Sequence, residues 1–149
     1  MEPTFRQADA SHADLLIELM REFYLIEHLP FDESVARRAL PHILDHRAHG
    51  LIFLIELAEK VAGYVVLTFG FSLEFHGRDA LVDELYVRES FRGQGIGQTT
   101  LRFIEAACRS ESVEAVHLEV DHANTRAQSL YRRAGYQDHQ RYLLTKWLT

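Results

Sequence analysis

The stretch Arg92-Gly-Gln-Gly-Ile-Gly-Gln98 sets three glycines at alternate positions, after an apolar run and before a helical pattern. Glycine permits positive φ and close backbone approach. Where a strand turns into a helix, such residues leave N–H groups pointing outward, and the helix N-terminus adds a partial positive charge. Together they make a seat for phosphate oxygens. Arg92 adds a formal charge at the mouth of the loop. Known phosphate loops fit unequally. In a dinucleotide fingerprint read from Gly93, Gln98 stands where the third glycine belongs, and no acidic residue closes a βαβ unit at the usual distance. A Walker loop needs a lysine that is absent here. Arg92, Gly95 and Gly97 satisfy the remaining pattern, Arg-x-x-Gly-x-Gly. Just upstream, Asp83 and Glu84 are neighbours in the run Ala80–Val87. Alternation along a strand sends them to opposite faces, one toward a cleft.

Around these residues the chain reads as a mixed α/β domain. Thr4–Ala8 suits a first strand. Ser11 with Asp14 resembles an acidic capping box ahead of Leu15, Leu16, Leu19, Phe23 and Ile26, which share a helical face. Asp32 caps a second helix to about His46, with Pro41 predicting a kink or an earlier stop. Leu51–Ala58 and Val61–Phe69 form strands joined by a tight turn at Glu59-Lys60, and Ser72–Asp79 reads as a loop. Ala80–Val87 is a strand, followed by the glycine loop and a helix to about Arg109. Val113–Val120 is a strand, Thr125–Ala134 a short helix and Arg141–Leu148 a final strand. The order is β-α-α-β-β-β-α-β-α-β, with a hairpin that forbids a purely parallel sheet. Residues 1–149 suit one domain.

Arg92-Gly-Gln-Gly-Ile-Gly97 resembles the pyrophosphate-binding motif of the GNAT acetyltransferase superfamily. Asn124-x-x-Ala127-x-x-Leu130-Tyr131-x-x-x-Gly135-Tyr136 is similar to that family's second signature, and the order agrees from Ala80 to Tyr136. The resemblance implies a single N-acetyltransferase domain of GNAT-like fold that uses acetyl-CoA, with no metal. It assigns the pantetheine arm and acetyl carbonyl to Leu85, Tyr86 and Val87 on a strand that splays from its neighbour. It assigns the pyrophosphate to the amides of Arg92, Gly93, Gln94, Gly95, Ile96, Gly97 and Gln98, and turns Asn124 and Ala127 toward the cofactor. Tyr131 matches the family's tyrosine beside the sulfur, either a general acid or only an orienting hydroxyl. Protonated at neutral pH, a tyrosine can donate. For the base, Glu84 is preferred, Asp83 is next and Glu119 third. The implied reaction moves an acetyl group to a primary amine of a small molecule or peptide by direct attack in a ternary complex. A non-catalytic acyl-CoA sensor and a mononucleotide-binding module are the other readings.

Composition bounds the rest. A net charge of -6 speaks against a nucleic-acid footprint. One cysteine, Cys108, permits no internal disulfide and fits a reducing cytoplasm; helical spacing buries it as an inert thiol. The N-terminus lacks a signal-peptide layout and no apolar run approaches a membrane span. His42, His46 and His49 have the spacing of one helical face, which permits metal ligation, but a solvated face is the expectation. His117 is expected in the core. The acceptor is expected near His28–Asp32 and Ser72–Asp79. The acidic tint of Glu74, Asp83 and Glu84 points to a cationic amine such as a polyamine, an aminoglycoside or a lysine. Homodimerisation through Tyr142, Leu143 and Trp147 is common to such folds, and core packing explains those residues equally well.

Overall fold

The computed structural model describes all of residues 1–149. The chain divides into two compact units, Met1–Glu119 and Val120–Thr149.

The first unit is built on a five-stranded sheet in the order β1-β2-β3-β4-β5, comprising β1 (Thr4–Gln7), β2 (Gly50–Leu57), β3 (Lys60–Ser72), β4 (Gly77–Val87) and β5 (Ala115–Leu118). All neighbouring pairs are antiparallel except β4 with β5, which is parallel. β2 is buried on both faces over Leu51–Ile55, as that apolar text requires. Ile52 and Leu54 face helices α1 (Ala13–Ile26) and α2 (Glu33–Leu44), where they join Leu16, Leu19, Leu40 and Tyr64 in one core cluster. The alternate residues Phe53 and Ile55 face the other way. There Phe103 of α3 (Ile96–Ser110) meets Phe53 edge-on at 4.8 Å and stacks on Phe5 at 4.1 Å.

Several boundaries differ from the sequence expectation. The cap of the first helical segment is Asp9, which accepts from Ser11 N at 2.9 Å, while His12 Nδ1 accepts from the Asp9 N–H. This is a capping box one turn earlier than Ser11 with Asp14. α2 runs through Pro41, because a proline in the last turn forfeits only one late hydrogen bond. The hairpin turns at Ala58-Glu59, both at positive φ (+52° and +64°), which matches a two-residue turn to strand twist. Half of the expected loop Ser72–Asp79 is strand: Ser72 pairs with Gly77, so β3 and β4 form one long hairpin.

The second unit contains α4 (Thr125–Arg133). The expected final strand Arg141–Leu148 is not formed. No helix of the protein is long and apolar enough to cross a membrane.

Candidate active site

The glycine loop has the geometry of an anion seat. Phe91 and Ile96 pack into the cluster of Ile55, Leu57 and Ala62, pinning both ends of the loop to the sheet. Gly93 and Gly95 take φ of +78° and +75°, a conformation an L side chain enters at a cost. A Cβ at either position would meet nothing within 4 Å, so conformation rather than crowding calls for glycine. The N–H groups of Gly93 through Gln98 have no partner in the protein; the first helical bond of α3 runs from Thr99 N to Gly95 O. The first turn of α3 carries no acidic side chain. Arg92 departs from its expected part, since its N–H is bound to Glu89 O at 3.1 Å and its Nε donates to Val87 O at 2.9 Å. Its backbone belongs to the preceding turn, and the free amides begin one residue later.

β4 leaves β5 beside this loop. β5 pairs only with Asp79–Val82, so Asp83–Val87 has β3 alone for a partner. Arg88 N donates to Ala62 O, which makes Tyr86 with Tyr64 the next hydrogen-bonded pair. The peptide groups of Leu85 and Val87 therefore point away from β3, whereas those of Tyr86 are used within the sheet.

The same strand carries a bulge. Val66 pairs with Glu84 and Leu67 with Val82, leaving Asp83 as the extra residue. A bulge suspends alternation. Asp83 and Glu84, expected on opposite faces, both line one cavity of about 280 Å³ between α1, α2 and the sheet. Its other walls include Leu16, Met20, Leu40, Ile43, Ile52 and Val66.

Glu84 is the anchored carboxylate of this cavity. Tyr64 Oη donates to its Oε1 at 2.6 Å, and Tyr24 Oη donates to its Oε2. Burial pushes the Glu84 carboxyl above the usual carboxylate range, the two phenol hydrogen bonds pull it back and the Asp83 charge raises it again. The net displacement is upward. Burial also raises Asp83, although its residue surface reaches solvent. Both phenols are raised, first by burial and then by the Glu84 carboxylate, so they stay protonated donors. Tyr86 donates to Glu22 at 2.9 Å and Arg88 pairs with Glu22 at 2.9 Å, tying α1 to the end of β4.

The second unit explains its own signature locally. Asn124 Oδ1 accepts from Ala127 N at 3.1 Å, so these residues cap α4. Tyr136 N donates to Tyr131 O and Gly135 N to Arg132 O, with Gly135 at φ +99°, a Schellman close. The Tyr131 and Tyr136 rings lie 6.1 Å apart, edge to face.

Other candidates stand apart from the cavity. Glu119 is exposed beyond the end of β5. Glu74 lies at the tip of the β3–β4 hairpin; Val66 to Ser72 alone spans about 20 Å at the strand rise. The acidic tint thus reduces to Asp83 and Glu84. His46 and His49 lie beyond the end of α2, so the three histidines share no helix face, and no group of His, Cys, Asp or Glu is arranged to hold a metal. His117 is not a core residue: it is half-buried on edge strand β5, 3.0 Å from Asp79 and against the Phe75 ring. Cys108 is buried, which pushes its thiol up to about 11. Tyr24 and Tyr64 had no sequence signal, because helical and strand periodicity account for both.

The row of unpartnered amides lies next to the opened end of β4, and the paired carboxylates of the same strand line the cavity. Residues 13–136 match the Acetyltransferase (GNAT) family, and the chain belongs to it. It is 32% identical over 78 residues to thialysine N-epsilon-acetyltransferase of Bos taurus, covering 52% of this chain and 45% of that protein. The Mus musculus protein of the same name is 31% identical over 148 residues, covering 89% of this chain and 83% of its own. Among solved structures, integron cassette protein HFX_CASS3 from the mobile metagenome of Cole Harbour Salt Marsh shares 32% identity with a TM-score of 0.85, covering 97% and 90% of the two chains. A predicted acetyltransferase with acetyl-CoA from Clostridium acetobutylicum shares the fold at TM-score 0.81 and 16% identity, covering 97% and 96%.

Proposed function

We propose that the protein transfers an acetyl group from acetyl-CoA to a primary amine by direct attack in a ternary complex, and that residues 1–149 act as one N-acetyltransferase domain. The observation that carries this is the row of free N–H groups from Gly93 to Gln98 at the start of α3. Such a row, at the positive end of a helix with no nearby acid, favours a diphosphate. The outward peptide groups of Leu85 and Val87 suit the amide-bearing arm of the carrier. Glu84 takes a proton from the incoming ammonium. The nitrogen lone pair then forms the N–C bond while the thioester C–S bond breaks. The thiolate leaves with the proton of the Tyr131 hydroxyl, a role that rests on the second signature, and the second proton that the new amide nitrogen sheds returns to the Tyr131 oxygen through solvent. Asn124 and Ala127, as cap residues, hold the start of α4 that carries Tyr131.

Calorimetry with acetyl-CoA, desulfo-CoA and ATP, followed by thiol release over an amine panel, tests this reading. Binding of both CoA forms but not ATP, with amine-dependent thiol, is expected. Binding without thiol release from any amine would make the protein an acyl-CoA receptor instead. No binding of either CoA form would remove the assignment.

A further inference from the structure

The cavity beneath α1 and α2 is an unusual feature for a well-packed core. Protein interiors leave few voids larger than a water molecule. Here about 280 Å³ remains, next to Leu16 and Tyr64, both fully buried. The space opens to solvent beside the exposed Ala39 and Asp83, so a ligand can enter it.

Its lining is divided by chemistry. Leu16, Met20, Leu40, Ile43, Ile52 and Val66 supply hydrocarbon surface. Asp83, Glu84, Tyr24, Tyr64 and Thr68 supply the polar part. No Lys, Arg or His lines the cavity, so nothing there offsets a ligand carboxylate. The polar part is also incompletely used. Each Glu84 oxygen accepts one phenol, and a carboxylate oxygen has room for a second donor. Asp83 has no hydrogen bond or ion pair within the protein. A primary ammonium brings three donors and one positive charge, which suits these acceptors. A polyamine would bury a second ammonium against hydrocarbon, at a desolvation cost that nothing in the apolar wall returns.

We infer that this cavity is the acceptor site and that it takes a primary amine on an uncharged apolar arm, rather than a polyamine or an amino acid. The inference rests on the acetyltransferase reading for the word acceptor, but not for the class of ligand. The ammonium lies against Asp83 and Glu84, and the arm runs along Met20, Leu40 and Ile43. Transfer then proceeds as above: one proton passes to Glu84, the N–C bond forms, the C–S bond breaks, and the second nitrogen proton replaces the one that Tyr131 gives to the thiolate.

The probes are hexylamine and 2-phenylethylamine, compared with hexanol, lysine and spermidine. Calorimetry on the wild-type protein without acetyl-CoA reads the cavity alone. Both amines are expected to bind at least tenfold more tightly than each comparator. Under acetyl-CoA, the same two are expected to lead in kcat/KM. Ala39 lines the cavity from the exposed side of α2, so Ala39→Phe fills the space without loading the core. The variant is expected to raise KM for hexylamine at least tenfold and leave KM for acetyl-CoA unchanged. Spermidine or lysine binding as well as hexylamine, or Ala39→Phe leaving the hexylamine KM in place, would overturn the inference. Tight amine binding with no thiol release would overturn the acetyltransferase reading and uphold the ligand class.

Discussion

The Tyr64 hydroxyl sits 2.6 Å from Glu84 Oε1, on the neighbouring strand, while Tyr24 reaches the other oxygen from α1. A helix and two strands thus fix one buried carboxylate at the cavity wall. The relationship depends on the Asp83 bulge, since the pairing on its far side places Glu84 opposite Val66. Only from that register does Tyr64, two residues away on the same face of β3, reach it.

Replacing the base tests its role most directly. Glu84→Gln is expected to lower kcat by about 10²–10⁴-fold, the usual worth of a positioned general base, with acetyl-CoA affinity unchanged. Steady-state thiol release and calorimetry check the two halves. The acid limb of the wild-type profile should lie above 4.5, because burial raises this carboxyl. Stability carries the same sign. The Glu84 contribution is fully present below the unfolded value and is lost as pH rises through the raised folded value. Glu84→Gln should therefore melt higher than wild type near neutral pH, and that gap should close on acidification in a calorimetric series.

Tyr64→Phe removes one donor from the same carboxylate. A buried charged acceptor left short of a partner costs roughly 1–3 kcal/mol, so the melting temperature should fall. Loss of the phenol also raises Glu84 further, since that hydrogen bond pulls it down. The acid limb of kcat/KM should move to higher pH. An unmoved limb would mean that the carboxylate titrating in the profile is another one.

Gly95→Ala addresses the phosphate seat. Gly95 has φ +75° and open space where a Cβ would stand, so the cost is conformational, roughly 1–2 kcal/mol. The altered turn displaces the free amides on either side. Acetyl-CoA affinity should fall about tenfold or more in calorimetry while KM for the amine holds.

Tyr131→Phe separates the acid role from cofactor orientation. Turnover is expected to drop with little change in acetyl-CoA affinity. Equal turnover in wild type and variant would assign the leaving-group proton to solvent.

Much of the scaffold was legible because its causes are local. The glycine loop announces itself through residues that tolerate positive φ, and Gly93 and Gly95 both use it. The run Leu51–Ile55 is a strand because nothing in it suits solvent. Asn124 and Gly135 cap α4 at its two ends for reasons contained in a few residues. The misses are equally physical. Ser72–Asp79 reads as a polar loop, but pairing across the hairpin draws Ser72 into β3 and Gly77–Asp79 into β4.

The sequence by itself determined a glycine loop ahead of α3, the class of fold and the presence of two adjacent carboxylates on its central strand. Tertiary structure alone decided that those carboxylates share a cavity, because a single unpaired residue at Asp83 breaks the alternation that the text of the strand implies. It alone brought Tyr24 and Tyr64 to Glu84, from positions 60 and 20 residues away along the chain. Contacts of that kind depend on strand register and helix docking, which no local pattern encodes.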